Sequence, residues 1–464
     1  MISSLIPFTY KEVKKLHILL DVFRVFRRMP RAGLILLGFA LFMLVGAFLL
    51  WLPISQTGAR DISFLDALFT AVSAVSVTGM TLFSLRDDLS LFGQLVVLVM
   101  MQVGGLGVMT IMATMVIYAG RHVRLRERLL LSDSFNLESP SGMVALVRKI
   151  IRLTIFIEFV SGTLLGAYFY TEFGAIGFYY GYWHAVSAFC NCGLDLFGDA
   201  GFGAYARHPY VGMVVVATML LGGIGFMVID DVQKKRNWKR LSLNTKLVLV
   251  AELVFTTLGS IAFFCFDVSH PELMGEMASH DVGMNSFFMS VSSRMGGFMT
   301  FDPGALSGAT KLCVMVLMFI GAAPVSTGGG IRTTTMMIII LSLYAWVRGK
   351  QNVVIFHRRI GDSYVSKAFQ VFTLSTALIF LTTFLLLIFD TSGSGLDVIL
   401  FESVSAFSTV GFSAGLNGEL SNACKVILIF AMFIGRIGVM TMVLTFADRH
   451  QGRIGYPTEN VTIG

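Results

Sequence analysis

Ser73-Ala74-Val75-Ser76-Val77-Thr78-Gly79-Met80 is a short polar break between long apolar runs. Aligned on its glycine, the pattern returns as Ser187-Ala188-Phe189-Cys190-Asn191-Cys192-Gly193-Leu194, as Val291-Ser292-Ser293-Arg294-Met295-Gly296-Gly297-Phe298 and as Ser405-Ala406-Phe407-Ser408-Thr409-Val410-Gly411-Phe412. Successive glycines lie 114, 104 and 114 residues apart. Self-similarity at a near-constant period marks a repeat architecture, so the chain reads as four degenerate copies of one unit with fourfold pseudo-symmetry.

The surroundings of each break set the fold class. Hydrophobic residues make up 55% of the chain and charged residues 14%, with a mean hydropathy of +0.77; soluble domains carry about 25% charged residues. Apolar runs of roughly span length occur near 33–53, 93–119, 150–170, 209–230, 245–266, 305–346, 366–389 and 422–447, each enough to cross a hydrocarbon core about 30 Å thick. Between the first two lies Phe64 to Ser76, which as a helix reaches only about 20 Å. A short apolar helix, a Ser/Thr/Gly loop and a further span describe a re-entrant segment, and non-helical backbone at membrane depth is tolerated only inside protein or beside a wet cavity. The other three copies repeat this plan, with short helices near 178–190, 284–293 and 396–408. The expected fold is an all-α integral membrane protein of four span–pore helix–span repeats, with eight transmembrane helices and four re-entrant loops around a central ion pore. Two spans, 305–346 and 422–447, carry polar interruptions; the other six read as unbroken.

The net charge of +7 lies in alternate loops rather than on a nucleic-acid-binding face. Segments 11–31, 121–149, 234–246 and 348–367, together with Arg449 and Arg453, hold 26 of the 35 Lys and Arg residues. The positive-inside rule therefore puts both termini in the cytoplasm. The expected organisation is a basic amphipathic N-terminal segment over 1–31 lying on membrane lipid, a first pore repeat over 32–120, linker and second repeat over 121–231, linker and third repeat over 232–348, linker and fourth repeat over 349–448, and a cytoplasmic tail over 449–464. The five cysteines show neither a disulfide frame nor zinc spacing.

Four loops of this kind suit a bare cation. Backbone carbonyls converging on one axis replace its hydration shell, the C-terminal ends of the short helices point partial negative charge at it, and glycine supplies the positive φ needed to stack the carbonyls. Candidate filter residues are Val77, Thr78, Gly79, Asn191, Cys192, Gly193, Met295, Gly296, Gly297, Thr409, Val410 and Gly411. Beneath them, Ala323, Pro324, Ser326, Thr327, Gly328, Gly329, Gly330 and Arg332 fall in a glycine-rich break over 322–335, read either as a flexible intramembrane gate or as a loop between two short helices outside the membrane. Arg436, inside an apolar span, is either a structural donor to carbonyls or a fixed charge that hastens cation release. Arg294 is expected to tie its own loop to nearby acids or carbonyls, and Asp66, His184 and Glu402 to bond their own loops. The small-residue clusters Gly104 to Gly107 and Gly222 to Gly225 read as helix-packing surfaces.

The chain resembles the Trk/Ktr/HKT superfamily of potassium transporters through the four loops, through Leu241-Ser242-Leu243-Asn244-Thr245-Lys246-Leu247 and through Ser326-Thr327-Gly328-Gly329-Gly330-Ile331-Arg332-Thr333-Thr334-Thr335, over roughly 30–448. Its eight spans look most like the KtrB branch. The resemblance implies K+ uptake across a bacterial plasma membrane, a homodimer with one pore per subunit, and a cytoplasmic ring of nucleotide-binding RCK subunits that controls opening. It also implies a gate at 322–335, an arginine at 436 near the inner end of the filter, no covalently bound cofactor, and Na+ as a modulator. Relatives with serine at the first filter glycine pass Na+, so Gly79 favours K+. Met295-Gly296 stands where the family has Thr-Ala, and Cys192 where it has a small residue, so altered tuning is expected there. The rival reading is an ion-coupled secondary transporter of a small organic solute, whose mark would be inverted repeats; here every unit starts and ends on the same side. An intramembrane enzyme would need clustered His, Asp and Glu or a Ser-His pair in the spans, and none is visible.

Overall fold

The computed structural model describes residues 31–118, 123, 125–134, 141–198, 201–206, 208–269, 279–300, 303–416 and 420–446. The basic N-terminal helix expected near 11–28 and the tail over 449–464 lie outside the described residues.

Each unit is a long helix, a short buried helix, a loop and a second, broken helix. Unit 1 comprises α1 (Arg31–Trp51), α2 (Phe64–Ser76), α3 (Leu91–Leu106) and α4 (Val108–Tyr118). A linker helix, α5 (Leu125–Ser134), leads to unit 2: α6 (Met143–Phe173), α7 (Ile176–Cys190), α8 (Pro209–Gly223) and α9 (Phe226–Lys235). Unit 3 is α10 (Leu243–Ser269), α11 (Ser279–Val291), α12 (Gly308–Ile320) and α13 (Thr333–Val347). A hairpin of β1 (Val354–Ile355) and β2 (Arg358–Arg359) precedes unit 4: α14 (Asp362–Phe389), α15 (Leu396–Ser408), α16 (Asn422–Ile437) and α17 (Val439–Phe446).

Helix starts follow local chemistry. Ser90, Ser307 and Ser421 cap α3, α12 and α16 by accepting from Gly93, Thr310 and Cys424 N–H; α8 opens with Pro209 in its first turn instead. The short helices are buried over most of their length: Ala67, Phe69, Ala71, Ala74 and Val75 of α2 have no exposed surface. Long helices leave large apolar side chains bare, among them Leu41, Phe156, Leu253 and Phe380. Patches of that size are stable only against another apolar phase, which for these lengths is lipid. By length and composition, Gly33–Trp51, Leu243–Cys265 and Asp362–Phe389 each suffice to cross a membrane as single helices.

The second spans correct one expectation. Runs 93–119 and 209–230 are not continuous: α3 and α4 meet at 95°, and α8 and α9 at 91°. The breaks fall at Gly107 (φ 85°, ψ 133°) and Gly225 (φ 93°, ψ 132°), conformations open to glycine and closed to a helix. Unit 4 breaks likewise at Gly438 (φ 89°, ψ 133°). Unit 3 breaks over a longer stretch, from Gly321 to Arg332. Gly107 stands three positions after Gly104 and Arg332 eleven positions after Gly321, each pair beginning fourteen residues after the capping serine. Arg332, with φ 79° and ψ 131°, nevertheless reproduces the conformation of the three glycines, and α13 starts directly after it. The glycine-rich motif of unit 3 is therefore an insertion into a break that all four units share.

Candidate functional site

The short helices end in the same way in three units. Val77, Asn191 and Thr409 adopt left-handed backbone with φ of 60°, 59° and 53°. The next residue then donates backward to a serine carbonyl: Thr78 N to Ser73 O at 2.8 Å, Cys192 N to Ser187 O at 2.9 Å and Val410 N to Ser405 O at 3.1 Å. Such a cap satisfies orphan carbonyls and turns the chain sharply out of the helix. The glycine follows one residue later, again with positive φ: Gly79 94°, Gly193 77° and Gly411 93°.

Unit 3 reaches the glycine differently. A π-turn over Ser292–Gly296 carries the helix on, Gly297 itself is left-handed at φ 69°, and Gly297 N bonds Ser292 O at 3.2 Å. From that serine to the glycine the chain is one residue shorter than in the other units. Met295 consequently stays in a helical turn, and its side chain lies directly against Gly223, where a Cβ would overlap its sulfur. Met219 of α8 packs against Gly296, its sulfur lying where a Cβ would sit.

The four glycines meet. A Cβ on Gly79 would overlap the Cys192 carbonyl oxygen; one on Gly193 would fall on Gly297 and the Gly296 carbonyl; one on Gly297 would overlap the Val410 carbonyl oxygen; and one on Gly411 would overlap that of Thr78. Each loop thus touches the next, and the fourth returns to the first. This closed ring of backbone carbonyls is deeply buried, with Val77, Thr78, Asn191, Cys192, Thr409 and Val410 all at most 1% exposed.

Side chains on the short helices hold the chain that leaves the ring. In unit 2, Leu196 N donates to His184 Nε2 at 3.3 Å; in unit 4, Ala414 N and Ser413 Oγ donate to Glu402 Oε1 at 2.9 and 2.5 Å. Both acceptors lie nine residues before their glycine and both backbone donors three after it. His184 also stacks on Phe197, with centroids 4.5 Å apart. Asp66 departs from expectation. Although Ser63 caps its helix and bonds its carboxylate, Asp66 also accepts from Lys425 Nζ at 2.7 Å, linking unit 1 to unit 4. Lys311 and Asp397 link units 3 and 4 in the same manner at 3.0 Å. Lys311 and Lys425 both stand four residues after a capping serine, as does Gln94 in unit 1, which accepts from Tyr179 Oη of unit 2 at 3.0 Å. The signal available in sequence was a lone lysine at the head of each of two apolar spans.

Below the ring, the insertion of unit 3 lies against units 2 and 4. Ala323 N bonds Gly223 O at 3.1 Å and Thr327 N bonds Gly222 O at 3.2 Å. Gly329 packs directly on Thr409 and Ser408. Arg436 donates to Thr327 O at 2.5 Å, to Gly105 O at 3.1 Å and to Gly104 O, so its partners are backbone carbonyls of units 1 and 3. Arg332 folds back on its own loop, donating to Gly328 O at 2.5 Å and Ala323 O at 3.4 Å. Pro324 O approaches Gly225 closely, and the Ser326 hydroxyl donates to Ala323 O at 2.6 Å. Arg294, fully buried, pairs with Glu252 of α10 at 2.9 Å, donates to Thr256 Oγ1 at 3.1 Å, and reaches Gly321 O at 3.5 Å. It ties the third loop to an acid and a carbonyl, and so anchors the start of the insertion too. Among the described residues no group of three or more His, Cys, Asp or Glu could hold a metal ion.

A ring of four backbone loops enclosed by four two-span units, whose long helices expose large apolar side chains, defines a multi-pass membrane transport protein. The family model of TrkH, described as a cation transport protein, matches residues 45–454. Ktr system potassium uptake protein B of Bacillus subtilis is 38% identical over 92% of this chain and 95% of its own length. The potassium/sodium uptake protein NtpJ of Enterococcus hirae is 34% identical over 95% and 99%, and the Ktr system potassium uptake protein B of Vibrio alginolyticus 34% over 93% and 94%. The potassium transporter TrkH of Vibrio parahaemolyticus shares the fold, with a TM-score of 0.72 at 16% identity over 90% of this chain and 86% of that one. The chain belongs to the Trk/Ktr family of cation transport proteins. Its relatives are transporters and not enzymes.

Proposed function

We propose that this protein takes up K+ across the plasma membrane through a channel-like pore, with the four glycine loops as its selectivity filter. The observation that carries the reading is the closed ring in which each filter glycine abuts the carbonyl-bearing residue of the next loop. Carbonyl oxygens directed at one axis substitute for the hydration shell of K+, and the close approach is open only to residues without a Cβ. The short helices end at the ring, so their C-terminal partial charges add a cation-favouring field. The names of the potassium uptake relatives support K+ as the transported ion; Na+ as a modulator is part of the same reading.

The insertion from Gly321 to Arg332 is the gate in this reading, held across the inner side of the ring by Gly222, Gly223 and Arg436. Arg436 has a second role there: a fixed positive charge below the filter weakens cation binding and speeds release. We infer in addition a homodimer, one pore per subunit, both termini in the cytoplasm, and a cytoplasmic ring of nucleotide-binding RCK subunits acting on the gate. Uptake of K+ or Rb+ in cells lacking their own K+ systems tests the function. Growth and uptake at low external K+ are expected with the regulatory subunit co-expressed; protein present in the membrane without rescue contradicts it.

A further inference from the structure

Thr327 stands at the middle of the insertion and directs its polar groups away from its own unit. Its N–H donates to Gly222 O of unit 2 and its carbonyl accepts from Arg436 of unit 4. Its hydroxyl lies 2.7 Å from the Asn191 side-chain amide and 2.9 Å from Phe189 O, both of unit 2. Thr327 and Asn191 have no exposed surface. The Asn191 amide is best satisfied with its oxygen toward Gly223 N and its nitrogen toward Met219 O, each at 3.2 Å; its oxygen then also accepts from the Thr327 hydroxyl.

Asn191 is also part of the filter loop. It is the left-handed cap of α7, and its ψ fixes the direction of the peptide leading to Cys192, whose carbonyl oxygen faces Gly79 in the ring. Units 1 and 4 place Val77 and Thr409 in this conformation, and Thr409 meets the insertion through contact with Gly329. One side chain, Asn191, therefore belongs at once to the filter cap and to the bonding of the gate.

We propose that the Asn191–Thr327 contact couples the gate to the filter, so that displacing the insertion alters the carbonyl geometry of the second loop and with it the choice of ion. This rests on the reading of the insertion as a gate and extends it. Both are positioning residues, acting through the Cys192 carbonyl. When the gate withdraws, Asn191 loses its partner and the cap it supports relaxes; when the filter loop is set by K+, Asn191 is oriented to receive Thr327. Arg436 holds the same loop through the Thr327 carbonyl.

The test is K+ and Na+ flux by the purified full-length protein in liposomes, without its regulatory subunit. Thr327→Val keeps the shape and removes the hydroxyl; Thr327→Ser restores it. Asn191→Gly removes the amide while keeping left-handed backbone accessible. Thr327→Val and Asn191→Gly should each raise basal K+ flux about five- to tenfold, the effect of one buried hydrogen bond, and lower the K+/Na+ flux ratio. The double variant should add little to either, and Thr327→Ser should match the native protein in both readouts. An unchanged ratio in Thr327→Val and Asn191→Gly, or fully additive effects, overturns the coupling. Deleting Gly328 to Gly330 reports on the gate through flux: raised flux there beside unchanged ratios in the point variants overturns only the coupling, and unaltered flux in every variant overturns both.

Discussion

Arg332 and Gly438 share one backbone conformation, φ 79°, ψ 131° and φ 89°, ψ 133°, at the start of the last helix of their units. Glycine occupies this conformation freely; a side chain there costs about 1–3 kcal/mol. Arg332 bears that cost while donating to Gly328 O and Ala323 O, which closes the insertion on itself. Arg332→Gly relieves the strain and loses the bonds, whereas Arg332→Ala loses the bonds and keeps the strain. The alanine variant should therefore unfold in detergent with about 1–2 kcal/mol less stability than the glycine variant, and both should show raised basal K+ flux. Equal stability would mean that the backbone at Arg332 is unstrained.

Gly79→Ser puts a Cβ against the Cys192 carbonyl oxygen. The ring must widen or shift at that point, and discrimination between K+ and Na+ should fall, read as Na+ inhibition of Rb+ uptake in cells. Unchanged discrimination in well-expressed protein would remove the first loop from the filter.

The Asp66–Lys425 pair sits between units 1 and 4 with both side chains mostly buried. Replacing one partner strands the other charge, so Lys425→Met should destabilise the folded protein by about 3 kcal/mol, and Asp66→Asn added to it should recover most of the loss. Additive losses would assign the pair no mutual interaction. Detergent unfolding curves of the three variants decide between these outcomes.

Bound K+ should stabilise the protein. Carbonyl oxygens gathered in one ring repel each other unless a cation lies among them, and a ligand that binds the folded state alone raises stability by about 2.7 kcal/mol at a hundred times its dissociation constant. Thermal unfolding in KCl should therefore occur above that in choline chloride at equal ionic strength. Identical midpoints would argue that the ring binds no K+.

Much of this arrangement is readable from residues alone. The short helices α2 and α15 run over the stretches marked by their apolar composition and length, 64–76 and 396–408, because a buried helix ending in a glycine loop has little freedom in where it starts and stops. The broken second spans are hidden by their composition: Gly104 to Gly107 and Gly222 to Gly225 look like close-packing surfaces, and they do pack closely, on Val75 and Phe189. Only the positive φ of Gly107 and Gly225 reveals the bend. The third loop keeps its glycine in the ring but not its serine in register: Ser292 lies five residues before Gly297 where the other serines lie six before theirs, and a π-turn replaces the left-handed cap. Arg332 hides as well, since a sequence shows an arginine after three glycines and not the glycine-like backbone it adopts. Contacts between units, such as Asp66 with Lys425, join residues 359 positions apart and follow from the ring closure rather than from any local pattern.

The most direct test of a four-loop K+ filter is the reversal potential of the purified protein in a planar bilayer under bi-ionic conditions, K+ on one side and Na+ on the other, with Gly328 to Gly330 deleted to hold the pore open. A reversal potential far toward the K+ equilibrium value is expected. One near zero, with cation current present, would contradict the filter reading.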